Sequence, residues 1–259
     1  MVVTALRGGA NTFPVTLSAA PRLPAPPEIR LGNATFFADP SGVLWWPAEA
    51  TLIVADLHLE KGTSFARQGL LLPPYDTRAT LDRLAAAIER LGPTRVVALG
   101  DSFHDAEAAD RLDPADQARL ARLVSGRDWL WLAGNHDPKP GPALGGRVAL
   151  DTAWLGEVAL RHEADPDAAG AELSGHYHPK ASLAIHGRRL TCRCFVADRR
   201  RIILPAFGAY AGGLDVREPA LARLFPAGFT AYLIGTHKTL PIPSRLLLPV
   251  PESQDSPLL

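Results

Sequence analysis

Seven potential metal ligands arrive along the chain in a fixed order, each at or just beyond a run of apolar residues. They are Asp56 and His58 in VADLHLE, Asp101 in ALGDSFHD, Asn135 in LAGNHD, His162 in ALRHE, and His176 and His178 in SGHYHP. The apolar runs read as buried strands, so the chain must fold with several strand ends meeting at one place. Carboxylates, an amide and several imidazoles gathered at strand ends suit two neighbouring divalent metals. Phosphoester hydrolysis is the leading reading of such a set.

The spacing within the blocks supports that reading. Asp56 and His58 alternate on an extended segment, and so do His176 and His178, so each pair presents both side chains to one side. Asp101 directly follows its strand's glycine, which makes it the natural ligand to touch both ions. Gly100, Gly134 and Gly175 each precede a ligand and permit a tight bend close to the ions. An oxygen-rich set with imidazoles suits manganese, iron or zinc better than calcium.

The first half of the chain alternates strand and helix. TLIVADLHL, RVVALGD and DWLWLAGNHD read as strands, and KGTSFARQG as a short helix. Leu81, Leu84, Ala85, Ile88 and Leu91 have helical spacing, stopped by Gly92-Pro93. Asp113-Pro114 opens another helix, to Leu123. FFADPSGVLWW reads as two strands around a turn. From Arg147 to Leu204 the pattern becomes mostly strand and mainly antiparallel: RVALDTAWL, GEVALRHE, SLAIHG, LTCRCFVAD and RIILPAF, turning near Gly156, Gly187 and Asp198–Arg200. A short helix is expected at Glu218–Leu224 and a last strand in FTAYLIG. Both halves supply ligands, so residues 28–249 are expected to form one domain with the site between two sheets. Residues 1–27, rich in proline, and 250–259 are expected to be flexible.

Composition narrows the function classes. The formal net charge is zero, so no whole-molecule field draws the chain to nucleic acid, and such binding needs a local patch. No apolar run approaches the roughly 20 residues of a membrane span, and the N-terminus lacks a secretory h-region. Cys192 and Cys194 read as small buried hydrophobes rather than a disulfide. These features favour a cytoplasmic protein without membrane contact.

The series DLH, GD, GNHD, a later strand-end histidine and GHYH resembles the calcineurin-like metallophosphoesterases. More narrowly, DLHLEKGTSFARQGLLLPPYDT, LGDSFHD, GNHDP, LSGHYHPKA and LPAFGAYAGGLDV look like the ligase-associated DNA damage response metallophosphoesterases. The resemblance implies a four-layer α/β sandwich, with two central mixed sheets flanked by helices, and a binuclear centre. Asp56, His58 and His178 would hold one ion; Asn135, His162 and His176 the other; Asp101 would bridge. His136 matches the catalytic histidine, which contacts the phosphate or protonates the leaving oxygen. The implied activity is a manganese-dependent phosphodiesterase or DNA endonuclease in repair, with a DNA ligase and a helicase as partners. One position departs. Three residues after the bridging aspartate the family often has a second aspartate that pairs with the catalytic histidine; here stands His104, followed by Asp105. Either Asp105 takes that orienting role, or His104 itself faces the substrate.

Other residues keep two readings. Arg67 is a phosphate-binding guanidinium or part of a solvated helix face. Tyr75 and Asp76 support the site or form a turn, with Asp76 a candidate helix N-cap. Arg188, Arg189, Arg193, Arg199, Arg200 and Arg201 contact a nucleic-acid backbone or protect edge strands. The tryptophans Trp45, Trp46, Trp129, Trp131 and Trp154 suit core packing. Rival functions are a phosphatase or pyrophosphatase on a small nucleotide, and a non-catalytic repair scaffold.

Overall fold

The structure, a computed structural model, describes residues 25–140 and 144–249. Most of the expected lead-in and the whole of the expected 250–259 tail lie outside the described residues.

Two sheets are stacked face to face. The first contains β1 (Glu28–Leu31), β2 (Ala34–Ala38), β3 (Leu44–Trp46), β4 (Thr51–Val54), β5 (Arg95–Ala98), β6 (Asp128–Leu132) and β7 (Arg147–Ala149), in that order. β1 to β4 form an antiparallel meander, and β4 to β7 run parallel. The parallel steps carry α1 (Lys61–Arg67) and α2 (Asp76–Leu91) between β4 and β5, and α3 (Pro114–Val124) between β5 and β6. Asp113 caps α3 by accepting from Ala115 N at 2.9 Å, with Pro114 at the first helical position.

The second sheet contains β8 (Ala153–Leu155), β9 (Val158–Leu160), β10 (Ala171–Ser174), β11 (Lys180–Ile185), β12 (Arg188–Ala197), β13 (Arg201–Ile203), β14 (Thr230–Ile234) and β15 (Thr239–Pro243). Its order is β15-β14-β12-β13-β10-β9-β8, and β11 pairs only with β12. Ile53, Val97 and Leu130 of the first sheet pack against Leu160, Leu173, Phe195 and Ile202 of the second, which makes the middle core. Leu81, Leu84, Ile88 and Leu120 of α2 and α3 cover the first sheet's outer face over Val96, Trp129 and Trp131. Leu221, Leu224 and Phe225, in and after α4 (Pro219–Ala222), cover the second sheet's outer face. The result is the expected four-layer α/β sandwich, with a thin fourth layer.

Several expectations need correction. RVALDTAWL is not one strand: its two ends, β7 and β8, lie in different sheets, and Leu150–Thr152 carries the chain between them. The middle of the second sheet is parallel, because β10 pairs in parallel with both β9 and β13. The expected Glu218–Leu224 helix shortens to α4. Trp154 is 62 % exposed, since β8 is an edge strand. Cys192 is only half-buried, whereas Cys194 is buried, and both are free thiols. Among the described residues no helix is long and apolar enough to cross a membrane.

Candidate metal centre

β4, β5 and β6 run parallel, so the segments after them leave the first sheet at one end; β9 and β10 deliver their following residues to the same place. The loop backbones continue the sheet. Asp56 N donates to Gly100 O at 3.2 Å, His58 N to Asp101 O at 2.9 Å and Leu59 N to Ser102 O at 2.9 Å. From the second sheet, His176 N donates to the Asp56 carboxylate at 3.0 Å. Asp56 itself is wholly buried.

The seven expected ligands come together. Asp56, His58 and His178 form one group and Asp101, His162 and His176 another, with donor atoms within 4.8 Å of one another in each. Asn135 completes the second group: its Oδ1 lies 2.9 Å from His162 Nε2 and 3.0 Å from His176 Nδ1. Asp101 stands between the groups, with Oδ2 3.5 Å from His162 Nε2 and 4.0 Å from His58 Nε2.

The backbone is strained where the ligands sit. Among the described residues eight non-glycine positions have positive φ, and Asp56, His58, Asp101, His176 and His178 are five of them. Each costs on the order of 1–3 kcal/mol and persists only where the surroundings enforce it. Glycine is required beside them: a Cβ at Gly175 would lie 2.6 Å from Asp56 Oδ2, and one at Gly134 would collide with Asp101 Oδ1.

These atoms fit divalent cations. Burial first, then His178, His136, Lys61 and His104, lowers the His58 pKa from 6.5 to about 2, so its ring is neutral. Burial and then His162 also lower that of His176. His162 places Nδ1 3.0 Å from Leu99 O, which fixes the N–H there and turns the Nε2 lone pair into the cluster. That lone pair faces the acceptor oxygens of Asn135 and Asp101. Cations satisfy such converging lone pairs, and the nitrogen-oxygen set suits manganese, iron or zinc.

The expected catalytic and binding residues separate. His136 borders the centre, its Nε2 4.0 Å from Asp101 Oδ2. Its Nδ1 lies 2.8 Å from the backbone carbonyl of His104. The His104 ring stacks on His136, with centroids 5.0 Å apart, and its Nδ1 lies 3.4 Å from His58 Nδ1. Asp105 does not reach His136. It makes a two-pronged pair with Arg111, at 2.9 and 2.6 Å, across the turn at Ala108–Arg111. That bond, chiefly, holds its carboxyl down at about 2. Orientation of His136 falls to a backbone carbonyl instead. Arg67 also turns away, pairing with Glu107 on the exposed side of α1. Asp76 is no N-cap; it is the first residue of α2, and its carboxylate takes Gly62 N at 3.0 Å.

Sequence reasoning passed over two residues. Asp137, the last letter of GNHD, is buried and accepts from Ser102 N and Phe103 N at 2.9 and 3.0 Å, which pins the loop that carries Asp101. Burial pushes its carboxyl up to about 7. Glu60, the last letter of VADLHLE, is buried between Thr63 and Thr77. Each is the acid that closes a ligand-bearing block, and that position is the signal that marks it.

Among solved structures the chain is similar to Pseudomonas putida nuclease MPE, with a TM-score of 0.65 and 28% identity over 83% of this chain and 99% of that one. The chain has the metallophosphoesterase fold. The E. coli phosphoesterase Yfce aligns with a TM-score of 0.39 and 12% identity, over 74% of this chain and 97% of that one. No family model matches the chain, and no curated protein matches it. The metallophosphoesterase architecture accounts for the placement of the centre: the ligands sit in loops at the ends of both sheets, where backbone is free to take unusual dihedrals. Asn135 is exposed there and His136 half-exposed, so the candidate centre is open to solvent on that side.

Proposed function

We propose that the chain is a metal-dependent phosphodiesterase that cuts nucleic acid, most specifically a DNA endonuclease of repair. The observation that carries this is the pair of donor groups sharing Asp101, on a fold similar to that of a nuclease. Asp56, His58 and His178 would hold one divalent ion and Asn135, His162 and His176 the other, with Asp101 common to both. Manganese is the first choice, with iron and zinc as alternatives; when bound, the ions supply an activated water and neutralise charge on the phosphate.

The chain's own residues do the rest. The His104 carbonyl fixes the His136 ring through Nδ1 and leaves Nε2 to donate a proton to the leaving oxygen. His104 limits rotation of that ring by stacking on it. The exposed flank at Asn135 and His136 suits a chain passing through better than an enclosed small molecule. The repair role and a DNA ligase and a helicase as partners rest on the motif resemblance, a cytoplasmic site of action on composition, and a single domain over 28–249 on the ligands that both halves supply; all belong to this proposal.

One assay tests it. The protein is incubated with manganese, iron, zinc or magnesium and offered bis-p-nitrophenyl phosphate, p-nitrophenyl phosphate, and single- and double-stranded DNA. Metal-dependent cleavage of the diester and of DNA is expected, abolished by chelation. Hydrolysis of the monoester alone would move the assignment to a phosphatase. Inactivity with every metal would leave a scaffold.

A further inference from the structure

The chain carries no net charge, yet four arginines line one groove. The groove, about 920 Å³, holds Arg30, Arg199, Arg200 and Arg245 against a single carboxylate, Asp198. Asp198 is occupied by its own turn, since its Oδ1 accepts from Arg200 N and Arg201 N at 2.8 Å each. Arg30 has only an exposed neighbour, Glu28, at 3.7 Å. Arg199, Arg200 and Arg245 are exposed and form no ion pair among the described residues. The half-buried rings of Phe229 and Tyr232 form part of the wall.

Edge protection does not explain Arg199 and Arg200. The Asp198–Arg200 turn joins β12 to β13, both interior strands, whereas the edges of that sheet are β15, β8 and β11. Nor do all the arginines of the run belong together. Arg201 is 1 % exposed and points inward to Glu172, 3.3 Å away and equally buried. That pair anchors the turn and leaves Arg199 and Arg200 facing out.

The groove lies at the far end of the sandwich from the metal centre. Arg201 is level with Glu172 in the parallel β10–β13 pairing, and β10 then runs on towards His176. At about 3.3 Å per residue, the turn sits roughly 15–20 Å from the ligands.

We propose that this groove is a second nucleic-acid contact, which takes the phosphate backbone of the substrate strand at a distance from the cut. The proposal rests on the nuclease reading of the metal centre. Guanidinium groups without partners offer paired donors to phosphate oxygens, and the two rings offer faces to unstacked bases. A strand of about three nucleotides, about 10 Å long at the stacked rise of about 3.4 Å per nucleotide, does not reach from the ions to the groove.

The test compares cleavage of a short and a long single strand, about three and about thirty nucleotides, by the manganese-loaded full chain across a series of salt concentrations. The variant is Arg199→Ala/Arg200→Ala/Arg245→Ala, with the three Arg→Lys changes as a charge-keeping control. The long strand should lose about tenfold in kcat/KM at moderate salt, and its log-log salt slope should flatten by about two units, near 0.7 for each phosphate that is no longer neutralised. The short strand and bis-p-nitrophenyl phosphate should be hydrolysed as by the wild type, and the lysine control should keep most of the slope. An unchanged long-strand rate and slope in the alanine variant would overturn the groove. So would binding of anionic lipid vesicles, or of an acidic protein, without any length effect on nucleic acid. If the wild type hydrolyses no diester, the nuclease reading fails; arginine-dependent binding of the long strand in that case would still uphold the groove.

Discussion

The two sheets contribute to the candidate metal centre unequally. The first brings both carboxylates, Asp56 and Asp101, with His58 and Asn135; all but Asn135 are nearly or wholly buried. The second brings three imidazoles, with side-chain exposures of 10 % for His162, 31 % for His176 and 18 % for His178. The first side is held by backbone pairing between adjacent loops, the second by hydrogen bonds that reach across, such as His176 N to Asp56. The carboxylates are kept where water is excluded and field lines are strongest, and the imidazoles of the second sheet are the more accessible donors. A change on the carboxylate side should therefore remove the centre outright, whereas a change behind the imidazoles should act through stability.

The largest effect is expected at Asp101. Asp101→Asn keeps the shape but removes the shared negative charge between the two donor groups. Diester hydrolysis should fall to the rate without protein at every manganese concentration, with an unchanged circular dichroism spectrum. A well-folded variant that still hydrolyses the diester would break the comparison at its root. Next comes His136→Ala, which leaves all seven ligands in place. Metal content should stay near normal by elemental analysis, and DNA cleavage should drop about 10²–10⁴-fold. The loss should be smaller for bis-p-nitrophenyl phosphate, whose leaving group departs without a proton. Collapse of metal content would make His136 a ligand instead.

The same inequality decided what could be read from the chain. On the first side Asp101 and Asn135 each follow a helix-strand unit with explicit punctuation: Gly92-Pro93 ends α2 and Asp113-Pro114 starts α3. Periodicity and stops suffice there. The second side lacks such signals. RVALDTAWL alternates without a break although the chain changes sheet within it, because apolar alternation says which residues are buried and not against which sheet. β10 is four residues long with a buried glutamate, so its parallel neighbours were not legible. β15 contains Pro241 and Pro243, which argue against a strand except at an edge, where it lies. The ligand types were legible on both sides, since residue chemistry does not depend on strand order. The partners of Asp105 and Arg201 were not, because each depends on one turn that aims a side chain inward or outward.

Behind the imidazoles the next effect is expected. Arg201 forms an ion pair with Glu172 at 3.3 Å and donates to Asp165 O at 3.3 Å, and Glu172 accepts from Asp165 N at 3.2 Å. This set holds the loop from Arg161 to Gly170, which carries His162. Arg201→Met leaves Glu172 buried beside only the more distant Arg161, 3.7 Å away. Removing one partner of a buried pair costs about 3–5 kcal/mol, to be read by urea denaturation. The neighbouring change Arg199→Ala/Arg200→Ala should cost within about 0.5 kcal/mol per site, as exposed substitutions do. Equal costs for the two variants would mean that the run is one uniform surface patch.

The smallest effect is expected at Asp105, and it separates two roles for one carboxylate. Arg111 holds the Asp105 carboxyl at about 2, below its ordinary 3.8. A folded-state value below the unfolded one means that the charged form favours the fold. The contribution is therefore complete above about pH 4 and fades as pH falls towards 2. Asp105 is 34 % exposed and Arg111 19 %, so water screens the pair and its worth is below about 1 kcal/mol. Asp105→Asn should lower Tm by about 2 °C at neutral pH, and the gap from the wild type should narrow on titration to pH 3. Because the His104 carbonyl, not Asp105, meets His136 Nδ1, DNA cleavage by this variant should stay within about twofold of wild type. If cleavage instead falls as far as in His136→Ala, the carboxylate orients the histidine during turnover. The first side would then depend on a charge that the resting geometry keeps on Arg111.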